Sequence, residues 1–414
     1  MNLVYKFRNY ECNDKLFGLC RVSKDLYNQT LYTALQSLDN EHKYLGYFDL
    51  EKLLKVTKNL EGEVNYRKLK AQVAQQTIKL VEKAVSSYFK SLKAWKQNPG
   101  AMTGAPRMPK YRKKNGYFEL VYSNQSCSIK SNGIIALSKD IQIPIPQFDK
   151  YGKDLMNFQQ VRVLPKDGCT EIEIVYRSEE VNANLNKSRY ASIDLGIGNL
   201  VTMVTDNVQP IIYSGKQIKS KNQWYNKELA RLQSCLELCN KKKSSKATRR
   251  VTGTRNKQID DLLHKVSRHV VNTLLKEGIG NLICGYNKGW KDSINLGKTT
   301  NQNFTQIPYD RLLHMLKYKC EICGIKFIEN EESYTSKCDG LAFEPIEKHD
   351  EYLGKRKKRG LFQSSTGRLI NADVNGALNI MRKVVGDSPY IKEIVDSGRL
   401  FRPKKLNDLY HLVS

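Results

Sequence analysis

Apolar and polar residues alternate over residues 3–8, which predicts a short strand. Apolar positions then recur at helical spacing over 15–40 and 65–97, with Val73, Ile78, Val81, Val85 and Phe89 on one stripe. The segment "NPGAMTGAPRMPKYRKKNG", 98–116, ends that pattern, because proline and glycine break regular structure and leave a basic linker. Strand-like runs follow: "YFELVYS", "GIIALSK", "IQIPIP", "VRVLP" and "EIEIVYR". This half is expected to be a small β-barrel interrupted by a helical insertion.

From about residue 188 the pattern changes. "RYASIDLGIGNLVTMVTD" reads as a long apolar strand carrying one acid, Asp194, and "VQPIIYSGKQ" pairs after it. Two long helices are predicted over 220–243 and 256–277, with a basic stretch between them. The strand "IGNLICGYN", the helix "YDRLLHMLKYKCEICG", the strand "IKFIE" and a final helix in "NADVNGALNIMRKVV" complete the order. Strands, helices and then strand–helix–strand–helix describe an α/β domain of the ribonuclease-H type. The fold class is therefore α+β and multidomain, with no internal repeat.

Charge changes the picture most. Lys and Arg number 69 against 42 acids, a net +27 over 414 residues. Such a surplus argues for a polyanionic partner, since each neutralised phosphate releases counterions; the alternative is a merely solubilising surface. The surplus is clustered. Residues 90–114 hold eight basic residues and no acid, among them Arg107, Lys110, Arg112, Lys113 and Lys114, near Trp95 and Tyr111. Residues 240–257 hold eight more, including Lys241, Lys242, Lys243, Arg249 and Arg250. "GKRKKRG" adds Lys355, Arg356, Lys357, Lys358 and Arg359, and "LLHKVSRH" offers His264 and Lys265. Basic runs with aromatics nearby suit phosphate tracking and base stacking. No window is apolar enough for a membrane span, and the first residues lack the apolar core of a signal peptide. Ten irregularly spaced cysteines then read as reduced intracellular thiols, so the expected place is the cytoplasm, on the nucleoid DNA.

Asp194 follows Ala-Ser-Ile in an apolar strand, where a charge is costly unless paired or metal-bound. Gly196 and Gly198 would let a backbone or ligand approach. Asp373 opens a helix, and by itself it reads as an acid that offsets the helix dipole. Cys320 and Cys323 fall on the apolar stripe of their helix with Leu312, Leu313 and Leu316, so both thiols read as core residues.

Taken together, "SIDLGIGN" and "INADVNGALNI", with a helical insertion between them, resemble the first and third RuvC motifs of the transposon-encoded TnpB (OrfB) family. "RVSKDLYNQTL", "PRMPKYRKK", "LHKVSRHVV" and "YTSK" match in the family's order, so the resemblance spans roughly residues 3–385. These are RNA-guided DNA endonucleases. The resemblance implies a wedge-like barrel from 1–24 and 95–187, a helical recognition insertion over 25–94, a RuvC-like nuclease domain over 188–385 and an unassigned tail, 386–414. It also implies a transposon-derived guide RNA and target double-stranded DNA as partners, with the guide's base pairing choosing most of the sequence. Three carboxylates would gather two Mg²⁺ ions, with Asp194 and Asp373 as two of them.

The third carboxylate departs from the pattern. The family's second motif ends a strand with glutamate, whereas "NLICGYNKGWK" has Gly285 in that place. The next strand, expected to run parallel beside the first-strand side of the site, ends in "ENEESYTSK". Functional groups collect at the carboxyl ends of such strands. Glu331 or Glu332 is therefore expected as a relocated third ligand, with a solvated strand end as the bland alternative; the sequence does not choose between the two. A branch of the family resembles this arrangement.

The family's zinc ribbon, expected near 334–370, is degenerate. Cys338 matches its first ligand, Leu341 stands in the partner position, and the second pair has no cysteine. Zinc is not expected, although Cys320, Cys323, Cys338 and His349 are a conceivable set. Apolar residues such as Leu341, Phe343, Leu361 and Phe362 are expected to hold the remnant instead. The rival to cleavage is a nuclease-inactive, RNA-guided DNA-binding repressor; an unguided transposase has no separate signature.

Overall fold

A computed structural model describes residues 2–166, 168–178, 183–240, 244–286, 306–358 and 360–412. The chain divides into two compact units, 1–179 and 180–414.

The first unit begins with β1 (Asn2–Asn9), followed by α1 (Asn13–Glu41), α2 (Tyr47–Leu54) and α3 (Ala71–Gln97). After the linker come β2 (Leu120–Ser123), β3 (Ser128–Ile129), β4 (Ile134–Ser138), β5 (Ile141–Pro144), α4 (Phe148–Leu155), β6 (Phe158–Lys166) and β7 (Cys169–Arg177). Among the described residues the strands form two ladders, an antiparallel sheet in the order β1-β7-β6-β2 and a smaller one, β3-β4-β5. Period-two alternation turns Ile172 and Ile174 of β7 and Val161 and Val163 of β6 into one core with Leu16 and Leu26 of α1 and Ile78 of α3. Helix α1 is continuous from Asn13, so the boundary expected at residue 24 falls within it. The helices α2 and α4, eight residues each, are too short for a periodic pattern to reveal.

The second unit is built on β8 (Asn186–Leu195), β9 (Asn199–Thr205) and β10 (Ile211–Ser214), then the helices α5 (Lys216–Asn240) and α6 (Lys246–Lys276). It continues with β11 (Ile279–Gly285), α7 (Tyr309–Ile322), β12 (Lys326–Asn330), β13 (Lys355–Lys358), β14 (Leu361–Gln363), β15 (Leu369–Asn371), α8 (Ala372–Val385), α9 (Pro389–Asp396) and β16 (Lys404–Leu406). Six strands make one sheet in the order β12-β11-β8-β9-β10-β16. The β8–β9–β10 meander is antiparallel, while β11, β12 and β16 join in parallel.

Alternation along β8 decides which helix each residue meets. Ala191, Ile193 and Leu195 pack with α6 and α7, whereas Ser192 and Asp194 turn to the opposite face, where Ser192 Oγ donates to the Ala377 carbonyl of α8 at 2.6 Å. The core on that face is shared by α8, α9, Val204, Ile212 and Ile283.

Three expectations need correction, and one unassigned segment finds its place. Residues 189–206 are not one strand but a hairpin, β8 and β9, turning at 196–198. Helix α6 begins about ten residues early, because Ser245 caps it: Ser245 Oγ accepts from Thr248 N at 3.2 Å and Thr248 Oγ1 accepts from Ser245 N at 2.8 Å. The basic stretch after residue 245 is thus helix, not connection. Strand β12 lies on the far side of β11 from β8, at the sheet edge. The unassigned tail completes the sheet, with Ile211–Tyr213 paired to Lys404–Leu406 and Ile391, Ile394 and Leu400 in the core.

Candidate functional site

The parallel ladder sets the site. Cys284 of β11 pairs with Ile193 of β8, which brings Gly285 beside Asp194, and Gly285 itself pairs with Asn330 of β12. All these strands end on the same side, and α8 crosses the face to which Asp194 points. Asn371 caps α8 by accepting from Asp373 N at 3.0 Å and Val374 N at 3.3 Å, so Asp373 stands in the first helical turn. One turn on, a Cβ at Gly376 would lie 3.0 Å from Asp194 Oδ2; the bare glycine lets helix and carboxylate approach.

The structure brings Glu332, not Glu331, to these aspartates. A Cβ placed on Gly285 would lie 2.9 Å from Glu332 Oε2 and 2.4 Å from Ile380 Cδ1. The Glu332 carboxylate therefore reaches back across one strand into the space that a side chain at 285 would begin to fill. Burial pushes the Asp194 carboxyl well above the usual range, and the charges of Asp373 and Glu332 add to it. Burial, then the neighbouring Glu331, pushes Glu332 up to about 7. Glu331 points to solvent and is held low by Lys383, whose Nζ donates to its Oε2 at 2.9 Å.

Two side chains that sequence reasoning missed support the carboxylates. Asn199, at the start of β9, donates from Nδ2 to Asp373 Oδ2 at 2.6 Å. Lys383 lies on the α8 face that carries Asp373, Gly376 and Ile380, a spacing of three and four residues that could have singled it out. Arg356, expected among the nucleic-acid contacts, comes within 3.7 Å of Asp373 Oδ1. Among the described residues no three His, Cys, Asp or Glu side chains form a ready metal cage. The three carboxylates share a field without closing on one point.

The ribbon region is organised by a buried carboxylate. Asp339, fully buried, accepts from Leu341 N, Ala342 N, Ser364 Oγ, Ser365 N and Ser365 Oγ at 2.7–3.3 Å. Glu344 accepts from Asp339 N at 2.6 Å, and Asn375 and Asn379 donate to the Cys338 carbonyl. Leu341 and Phe362 are buried as expected, and the polar bonds of Asp339, Glu344, Asn375 and Asn379 join them in holding this loop. Cys320 and Cys323 lie in the core beside α6; Cys338 is buried, and His349 bonds the Pro345 carbonyl.

The remaining basic candidates fall in both units. In the first unit Trp95 is half-buried on α3, and Arg107, Lys110, Lys113 and Lys114 are exposed in the linker. Arg112 sits over the rings of Tyr27 and Phe118, 4.9 and 5.0 Å from their centroids. In the second, Arg249 and Arg250 are exposed on α6, as is His264. Lys265 is engaged with Asp261 at 2.9 Å and the Tyr410 ring. Lys355, Lys357 and Lys358 are exposed on β13 with Arg356. Lys241, Lys242, Lys243 and Arg359 lie outside the described residues.

Comparison with known proteins joins these features. Residues 173–291 match the OrfB_IS605 family, described as a probable transposase, and residues 309–380 match the Cas12f1-like TNB domain. The TnpB-like protein ORF457 of Acidianus two-tailed virus is 26% identical over 208 residues, which cover 48% of this chain and 42% of that protein. The chain thus spans under half the length of that curated relative. Among solved structures, a Cas12f1–sgRNA–target DNA complex matches with TM-score 0.55 at 16% identity, over 89% of this chain and 82% of that one. The mini-RNA-guided endonuclease CRISPR-Cas_phi3 matches with TM-score 0.53 at 10% identity, over 94% and 93%. At such identities these two show a shared fold, a mixed α/β multidomain architecture. Over residues 173–291 and 309–380 the chain is thus similar to proteins of the TnpB (OrfB) and Cas12f type.

Proposed function

We propose that this protein is a transposon-encoded, RNA-guided, Mg²⁺-dependent DNA endonuclease whose third acidic residue is Glu332. It acts in the cytoplasm, on nucleoid DNA, and cuts beside a short adjacent motif in the target. The observation that carries the reading is the Glu332 carboxylate standing in the side-chain space of Gly285, beside Asp194 and sharing its field with Asp373. The order of β10, β9, β8, β11 and β12 in one sheet supports a RuvC-like assignment for the second unit. The first unit, with α1–α3 between its strands, would be the wedge and recognition part that grips guide RNA.

The donor set fits Mg²⁺. All three groups are hard oxygen donors; burial raises Asp194 and the charges of Asp373 and Glu332 add to it, a cost that a divalent cation would relieve. Mg²⁺ keeps waters and substrate phosphates in its shell rather than demanding a closed protein cage, which suits a loose carboxylate set. When bound, two such ions would activate water and stabilise the leaving oxygen of the cut phosphodiester. The protein's own part is to hold Asp194 on β8, Asp373 on the first turn of α8 under the Asn199 bond, and Glu332 beyond the edge strand. Arg356 and the exposed lysines of β13 would carry the phosphates of the cut strand toward them.

The test compares Glu332→Gln with Glu331→Gln in protein purified with its RNA, on target DNA in Mg²⁺. Glu332→Gln should abolish cleavage and Glu331→Gln should not. Gly285 favours a second reading, a guided DNA-binding repressor. Guided binding with no cutting by the wild type in Mg²⁺ or Mn²⁺ would establish that reading and refute the first.

A further inference from the structure

The chain just after β12 is tied to α8 at two points, and Glu332 lies between them. At the first, Lys383 Nζ donates to the Glu331 carbonyl at 3.1 Å and to Glu331 Oε2 at 2.9 Å. At the second, Asn379 Nδ2 donates to the Thr335 carbonyl at 2.8 Å. The short arc between the posts closes on itself. Thr335 donates to the Glu332 carbonyl from N at 3.2 Å and from Oγ1 at 2.7 Å, and Ser333 N donates to Glu331 Oε1 at 2.9 Å. Glu331 would otherwise be only a solvated acid at a strand end, and its side chain is 59% exposed.

We propose that Lys383 is a positioning residue, resting on the nuclease reading above: with Asn379 it clamps the Glu331–Thr335 arc to α8 and so holds the Glu332 carboxylate over Gly285. The geometry requires such a device. A glutamate on β11 would take its place from the sheet ladder, whereas Glu332 lies two residues beyond Asn330, where pairing with β11 has ended. Helix α8 also carries Asp373, and Gly376 against Asp194. Tying the arc to α8 therefore references the third carboxylate to the helix that carries Asp373 and packs against Asp194. Lys383 acts through backbone and Glu331, without touching the reacting atoms.

Position and stability separate here. An exposed ion pair contributes little to stability, yet a displacement of about 1 Å at a reacting centre costs on the order of 100-fold in rate. The experiment uses full-length protein with its copurified RNA. It measures Mn²⁺ binding by electron paramagnetic resonance, cleavage of target DNA, and thermal unfolding. Lys383→Met should weaken Glu332-dependent Mn²⁺ binding about tenfold and slow cleavage about 100-fold, with melting within a few degrees of wild type. Lys383→Arg, which can still donate to both acceptors, should recover most of each. Glu331→Gln, which loses the ion pair but keeps the carbonyl bond, should fall between. Wild-type Mn²⁺ binding and cleavage in Lys383→Met would overturn the clamp alone. If wild type and Glu332→Gln bind Mn²⁺ alike and neither cuts, the nuclease reading fails and takes the clamp with it. Should Lys383→Met unfold, Lys383→Arg and Glu331→Gln decide by the same two readouts.

Discussion

Replacing Gly285 by alanine tests the site at its most crowded point. The new Cβ would stand 2.4 Å from Ile380 Cδ1 and 2.9 Å from Glu332 Oε2. Carbon atoms in ordinary contact lie about 3.5–4.0 Å apart, so the first overlap exceeds about 1 Å. Overpacking of this kind costs about 1–3 kcal/mol, offset by about 0.4–1 kcal/mol from the stiffer unfolded chain. The second overlap pushes the carboxylate away by roughly half an ångström, which on the steep dependence of rate on geometry gives about a tenfold to 100-fold loss of cleavage. Ile380→Val separates the two effects, because it deletes the Cδ1 atom that overlaps most. The double variant Gly285→Ala, Ile380→Val should regain stability and stay slow, since the contact with Glu332 persists. Melting temperature and single-turnover cleavage are the two readouts. Cleavage restored together with stability in the double variant would refute the idea that Glu332 must occupy that space.

Three further outcomes are expected. Asp194→Ala or Asp373→Ala should abolish cleavage while guided DNA binding stays within about threefold, because metal-assisted stabilisation is worth several kcal/mol to chemistry and nothing to the basic surfaces; parallel loss of binding would make these acids structural. Asp339→Ala should destabilise the protein by on the order of 2–4 kcal/mol, since it strands five donors, whereas chelation should leave the wild-type melt unchanged and elemental analysis should find less than one zinc per chain. Lys319, 3% exposed, donates from Nζ to Ser267 Oγ and the His264 carbonyl, and burial with nearby Arg268 pushes its pKa down to about 7. Below pH 7 both states hold the proton and the burial penalty is complete; between 7 and about 10.4 only the unfolded state holds it, so stability rises with pH. From pH 7 to 9 wild type should therefore gain about 2–3 kcal/mol relative to Lys319→Met in urea unfolding, and identical pH profiles would refute this.

Much of the fold was legible because local pattern and burial agree. Strands β1, β2, β4–β7 and β10–β12 and the helices α1, α3, α7 and α8 follow alternation or helical spacing read directly from the chain. The errors fall where a short-range signal was ambiguous. A continuous apolar run does not show where a hairpin turns, so β8 and β9 merged, and a basic run does not look helical until its cap at Ser245 is known. The tail had no pattern of its own; its three-residue strand exists only because β10 offers a free edge.

The sequence by itself determined that Asp194 sits in an apolar strand, that Asp373 opens a helix, that Gly285 stands where the family resemblance implies an acid, and that a polyanion is the partner to expect. It could not choose between Glu331 and Glu332, because adjacent residues at a strand end differ only in the direction the chain takes next. The tertiary structure separates them in space, with Glu332 beside Gly285 and Glu331 at the surface. Lys383 and Asn379, some fifty residues further on, bond the arc; Glu331 meets Lys383 at the surface and Glu332 stands beside Gly285. A carboxylate's position in space is set by whatever its backbone is tied to, and here those ties come from a distant helix.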